Sequence, residues 1–117
     1  MTPEFFVDAL KVECRDSAVR DCIEQFRKPS GRRPKPELVQ ISEWFNALTE
    51  ADQRQVAAAM REAAEATLFG VLCVVDGVRA IEAADEKSEF CLTVKRSNGV
   101  TTLVPSDVHL HDILRAQ

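Results

Sequence analysis

From Val56 to Val75 the apolar residues recur at the spacing of one helix face; after Asp76-Gly77 that rhythm stops, and from Phe90 a period of two replaces it. Val56, Met60, Ala63, Ala64, Thr67, Leu68, Val71, Leu72 and Val75 fall three or four residues apart, the pattern of a helix with one buried stripe. The stretch is rich in Ala, Glu and Arg, which favour helix, and Thr49-Glu50-Ala51-Asp52 offers a start signal with Asp in the place where a capping box has Glu or Gln. A rival reading makes Val71–Val75 a strand, with Asp76-Gly77 as the two-residue turn of a hairpin. The period continues through Gly70 without a break, which favours one long helix ending at Asp76, with Gly77 in the left-handed conformation that closes helices.

Upstream the text is also helical. Thr2-Pro3 supplies a capping oxygen and then a residue whose missing N–H costs nothing in the first turn. Phe5, Phe6, Ala9 and Leu10 give that helix its apolar face. Asp16 is placed to cap a second helix, in which Val19, Cys22, Ile23 and Phe26 form a stripe. Residues 27–36, with three prolines and a glycine, lack the amide donors for regular structure and read as a basic interhelical loop. Pro36 suits the first turn of a third helix, whose stripe is Leu38, Ile41, Phe45 and Leu48; of the adjoining Trp44 and Phe45, either one is exposed as an interface aromatic or, the preferred reading, a broad buried face takes both.

Downstream, Val78–Ala83 suggests a strand and Ala84–Ser88 a polar connection. Phe90, Leu92 and Val94 then alternate with Cys91, Thr93 and Lys95, and Asn98-Gly99 is a strong signal for a tight hairpin turn. A turn at that pair sets Val94 opposite Leu103 and places Phe90, Leu92, Val94 and Leu103 on one face. Pro105 ends the strand, and Ser106 or Asp107 starts a short helix bearing Leu110, Ile113 and Leu114. The expected fold is α+β: an N-terminal bundle of about four helices packed on a small antiparallel sheet containing a hairpin over 89–104, then a short C-terminal helix. Residues 1–117 are read as a single domain, because a chain of this length sits near the commonest domain size.

Composition narrows the function classes. The longest apolar run, Val71–Val75, has five residues, far short of a bilayer span, and the N-terminus lacks the pattern of a secretory signal. Cys14, Cys22, Cys73 and Cys91 show no CxxC spacing and fall within apolar patterns, so they read as buried, reduced thiols of a cytoplasmic protein. Arg27, Lys28, Arg32, Arg33 and Lys35 make the loop +5, so with a net charge of −4 the rest of the chain carries −9. These five cations are the candidate nucleic-acid contacts, through phosphates. No aromatic interleaves them, and a solvated loop is the preferred reading.

No residue stands out as catalytic, and no cofactor or metal site is expected. His109 and His111 face the same way on a strand but diverge by roughly 200° on a helix, so joint chelation needs a local extended stretch. Cys91 and Asp112 complete a zinc set only on paper, since no paired ligand spacing is present. Asp85-Glu86-Lys87, with Glu82 upstream, imitates part of a metal-dependent nuclease core but lies in a polar connection and reads as a charged turn.

Trp44-Phe45, Leu68-Phe69-Gly70-Val71-Leu72, Asp76-Gly77-Val78 and Leu110-His111-Asp112-Ile113-Leu114 carry a resemblance, over about residues 42–114, to a group of small uncharacterised bacterial proteins. The resemblance implies that Gly77 and the Leu-His-Asp segment are structural punctuation; it implies no activity. By analogy with small bacterial proteins without catalytic residues, among which immunity proteins and antitoxins are common, the resemblance implies a non-catalytic protein-binding domain, an immunity or antitoxin-type inhibitor, and the acidic body suits a basic toxin. Trp44, Glu82, Asp85 and Glu86 are the candidate partner-binding residues. A nucleic-acid-associated protein and a small metal-dependent hydrolase are the alternatives; a membrane partner is not expected.

Overall fold

The computed structural model describes residues 1–116, apart from the Ala84 side chain. The elements run α1 (Pro3–Leu10), a π-helical segment (Lys11–Asp16), α2 (Ser17–Arg27), α3 (Pro36–Asn46), α4 (Glu50–Val75), β1 (Leu92–Arg96), β2 (Gly99–Val104) and α5 (Leu110–Arg115). The fold is α+β, as the change of period requires. Among the described residues no helix is long and apolar enough to cross a membrane. The chain divides into two compact units, residues 1–12 with 66–116 and residues Glu13–Glu65.

In the first unit, Val7 of α1, Leu72 of α4, Val104 of β2 and Leu110 and Leu114 of α5 form the core. Phe6, Leu10, Leu68, Phe69, Val75, Leu92 and Ile113 pack around them. Thr2 caps α1 as its sequence suggests, accepting the Phe5 N–H at 3.1 Å. The end of α4 is a Schellman closure: Gly77, at φ +80°, donates to the Val74 carbonyl and Val78 to that of Cys73. Val71–Val75 is therefore helix, and the rival strand reading falls.

The closure also explains why Val78–Ala83 forms no strand. The N–H groups of Val78 and Arg79 both go to the Cys73 carbonyl, which turns the chain back on the helix end before any strand pairing begins. The hairpin exists, but its turn lies one residue earlier than Asn98-Gly99 suggests: Arg96 pairs with Gly99, leaving Ser97 and Asn98 as the loop. Only Gly99 takes positive φ, at +145°, whereas a turn centred on Asn98-Gly99 needs it at both positions. Val94 consequently faces Thr101 rather than Leu103. A bulge opposite Leu92 and Thr93 makes Leu103 an extra residue, so consecutive Leu103 and Val104 are both buried, which simple alternation forbids. Phe90 lies before the strand and is partly exposed.

The second unit packs α2 on α3, with Phe26 and Phe45 ring centroids 5.8 Å apart. Asp16 is no helix cap. Its backbone is helical and its carboxylate is turned to Arg15, and the wider turns of the π-helical segment carry the helix across the phase break that imitated two separate helices. Side-chain amides close the helix ends instead: Asn46 Nδ2 donates to the Arg27 carbonyl at 3.1 Å and Gln53 Nε2 to that of Phe45 at 3.0 Å. Thr49 caps α4, accepting from the Asp52 N–H at 3.1 Å.

Three of the thiols depart from expectation. Cys14, Cys22 and Cys91 are exposed and only Cys73 is buried, because Ile23 alone fills the inner position of the α2 stripe and Cys91 lies outside the paired strand. A disulfide-exchange reagent should titrate three thiols in the native protein and the fourth only in denaturant. Replacing Gly77 by Ala meets no neighbouring atom but forces a side chain into the left-handed region. That change should lower stability by about 1 kcal/mol in a denaturant titration.

Candidate functional site

The sequence-derived candidates fall in separate places. Trp44 stands on the second unit and is 55% exposed, whereas its neighbour Phe45 is fully buried. One turn of α3 cannot direct two successive residues inward, and Phe45 takes the core. Trp44 thus does not share the broad buried face expected for it. Ile41, one turn earlier, is 39% exposed, and Glu37 precedes it by four residues. Glu37, Ile41 and Trp44 therefore form one outward strip, acidic at one end and aromatic at the other.

The basic loop lies just before this helix. Arg27, Lys28, Arg32, Arg33 and Lys35 are all exposed, and none of the five has an ion pair among the described residues. Gln25 anchors the loop, its Oε1 accepting from Ser30 N and Oγ at 3.2 and 3.1 Å. A more ordered charge cluster lies elsewhere on this unit. Arg15 donates to Asp16 at 2.9 Å and to Glu65 at 2.8 Å, and Arg61 reaches Asp16 at 3.6 Å. The Arg15 hydrogen bond holds the Asp16 carboxyl below its ordinary range, and the same two acids raise the Arg15 guanidinium above its own. Nothing in the spacing of residues 15 and 65 signals that pairing.

On the first unit the acids do not converge. Glu82 accepts from Ser88 N and Oγ at 2.8 and 3.0 Å, closing the connection on itself. Asp85 and Glu86 sit exposed in a 3-10 turn, Ala84–Glu86, and Lys87 Nζ is turned to the Gly77 carbonyl at 3.2 Å. The nuclease-like string is a surface turn tied to the end of α4.

The polar group with the most defined geometry was missed by sequence reasoning. Asp76, its side chain 2% exposed, accepts through Oδ2 from the His111 backbone N–H at 2.9 Å and lies 2.7 Å from His111 Nδ1. The His111 ring meets Phe69 edge-on at a centroid distance of 5.7 Å, and the Arg115 guanidinium lies 3.6 Å over the same Phe69 ring. A cavity of about 320 Å³ opens beside Asp76 and His109 and is walled by Lys87, Phe90 and Pro105. Three of the blocks that carry the sequence resemblance, around Phe69, Asp76 and His111, meet here. The fourth, Trp44-Phe45, belongs to the other unit. Comparison with protein-family models, curated proteins and solved structures gives no match.

Asp76→Ala leaves the His111 N–H and ring without their acceptor. It should cost roughly 2–3 kcal/mol by the magnitude of charge-assisted hydrogen bonds. Asp76→Asn, which keeps an accepting oxygen, should lose less; equal thermal unfolding of all three proteins would contradict the assignment.

Proposed function

We propose that this chain is a non-catalytic protein-binding domain, an inhibitor of the immunity or antitoxin kind, that docks through the outward strip of α3. The observation that carries the reading is the exposed indole of Trp44. An exposed tryptophan on a rigid helix has little conformational entropy left to lose on docking, and such residues dominate interface energies. Glu37 on the same strip and a net charge of −4 suit a partner that offers an apolar pocket with a basic rim. The acids Glu82, Asp85 and Glu86 add to the field that steers such a partner.

The test is the affinity of this chain for the product of the adjacent gene. Trp44→Ala should weaken that complex by on the order of 30-fold, the loss typical of an interface hot spot. It should leave stability within about 0.5 kcal/mol, because the side chain is largely exposed. Replacing Arg32, Arg33 and Lys35 with Ser should leave the complex intact. Salt-dependent binding of a mixed-sequence oligonucleotide at physiological ionic strength, lost in that triple variant, would overturn the reading in favour of a nucleic-acid role.

A further inference from the structure

Two histidines separated by one residue diverge on a regular helix. His109 avoids that geometry because it stands before α5 in an extended conformation, φ −78° and ψ 139°. Its ring returns to 5.2 Å from that of His111, centroid to centroid, with the planes inclined by 38°. Asp112 joins them from the first turn of α5, its Oδ1 3.3 Å from His111 Nε2. One donor atom from each of His109, His111 and Asp112 lies within 4.8 Å of the others.

What distinguishes this cluster from a chance grouping is the residue behind it. Asp76 Oδ2, 2.7 Å from His111 Nδ1, is a buried carboxylate oxygen already receiving the His111 backbone N–H, so Nδ1 is the ring donor. The other ring nitrogen, Nε2, is turned to the open side of the cluster, 3.3 Å from the carboxylate oxygen of Asp112. A carboxylate holding one imidazole nitrogen so that the other faces a cation is the arrangement that orients metal-binding histidines.

We propose that His109, His111 and Asp112 bind a divalent first-row transition cation, zinc foremost, with Asp76 as the positioning residue of His111. Two imidazole nitrogens and one carboxylate oxygen match the ligand preference of zinc and disfavour calcium and magnesium, which take oxygen ligands. Three protein ligands leave a coordination position open to solvent or a small anion. The cavity that shares His109 and Asp76 with the cluster gives such a ligand room. Nothing in this site depends on the α3 strip, so the two proposals stand or fall separately.

The experiment is calorimetric titration of the chelator-treated protein with zinc sulfate, together with visible absorption of the cobalt(II) form to read the ligand field. One equivalent should bind, and zinc should raise the thermal midpoint of the wild type. His109→Ala and Asp112→Ala alter exposed side chains, so both should fold as the wild type does and lose zinc affinity by at least a hundredfold. Asp76→Asn should weaken zinc by about 10- to 100-fold, the usual effect of losing a supporting carboxylate. The visible spectrum of the cobalt(II) form should change in Asp76→Asn if Asp76 positions His111, whereas a merely structural Asp76 would leave that spectrum unaltered. Absence of stoichiometric binding overturns the proposal. So does zinc binding of undiminished affinity in His109→Ala or Asp112→Ala, which would place the metal elsewhere on the chain.

Discussion

The carboxylate of Asp76 stands where α4 ends and accepts, through a single oxygen, both the backbone N–H and the ring Nδ1 of His111 in the first turn of α5. At the end of α4 a negative charge opposes the helix dipole; at the start of α5 the same charge is favourable. His109, in the capping position of α5, makes no side-chain cap bond, so a residue 35 positions away in the chain supplies an acceptor that the local sequence lacks. A six-residue helix has little stability of its own and needs such support. With α5 held, Leu110 and Leu114 reach Val7, Leu72 and Val104, and the core of the first unit closes. The Schellman closure at Gly77 is the companion requirement, because it sets where α4 stops and therefore where Asp76 points.

The second unit is organised by a different device. Asn46 and Gln53 each reach back to carbonyls at the end of the preceding helix. These amides let three helices meet around Phe45 and Phe26 while a proline-rich basic loop bridges two of them. Arg15, drawn to Asp16 and Glu65, binds the helix before α2 to α4. The polar chemistry of this unit is thus spent on its own helix ends, and its outward resources are an indole and a set of unpaired cations.

The two proposed activities follow that division. A protein-binding strip needs a rigid helix and an apolar anchor, which α3 provides with Trp44. A metal site needs a fixed imidazole, which Asp76 provides for His111 in the first unit. The Asp85-Glu86-Lys87 string has the residue types of a metal-dependent core but not the convergence, because Glu82 and Lys87 are engaged with Ser88 and with the Gly77 carbonyl.

What the residues determined by themselves was the order of the helices and the hairpin, though not the absence of a strand at Val78–Ala83. Proline and threonine at helix starts, Gly77 at a helix end, the proline-rich break at 27–36 and the period-two stretch after residue 90 act within a few residues, so their physics is local and readable. Tertiary structure decided whatever depended on distant partners. The placement of Phe45 inside left Trp44 outside; the bulge at Leu103 reset the strand register; the exposure of Cys14 and Cys22 followed from which side the helices buried. HxH reads as divergent on a helix, and only the extended backbone of His109 brought the rings together. The pairing of Asp76 with His111 joins residues with no shared local pattern, because a hydrogen bond between distant segments is a property of the packed chain and not of either segment.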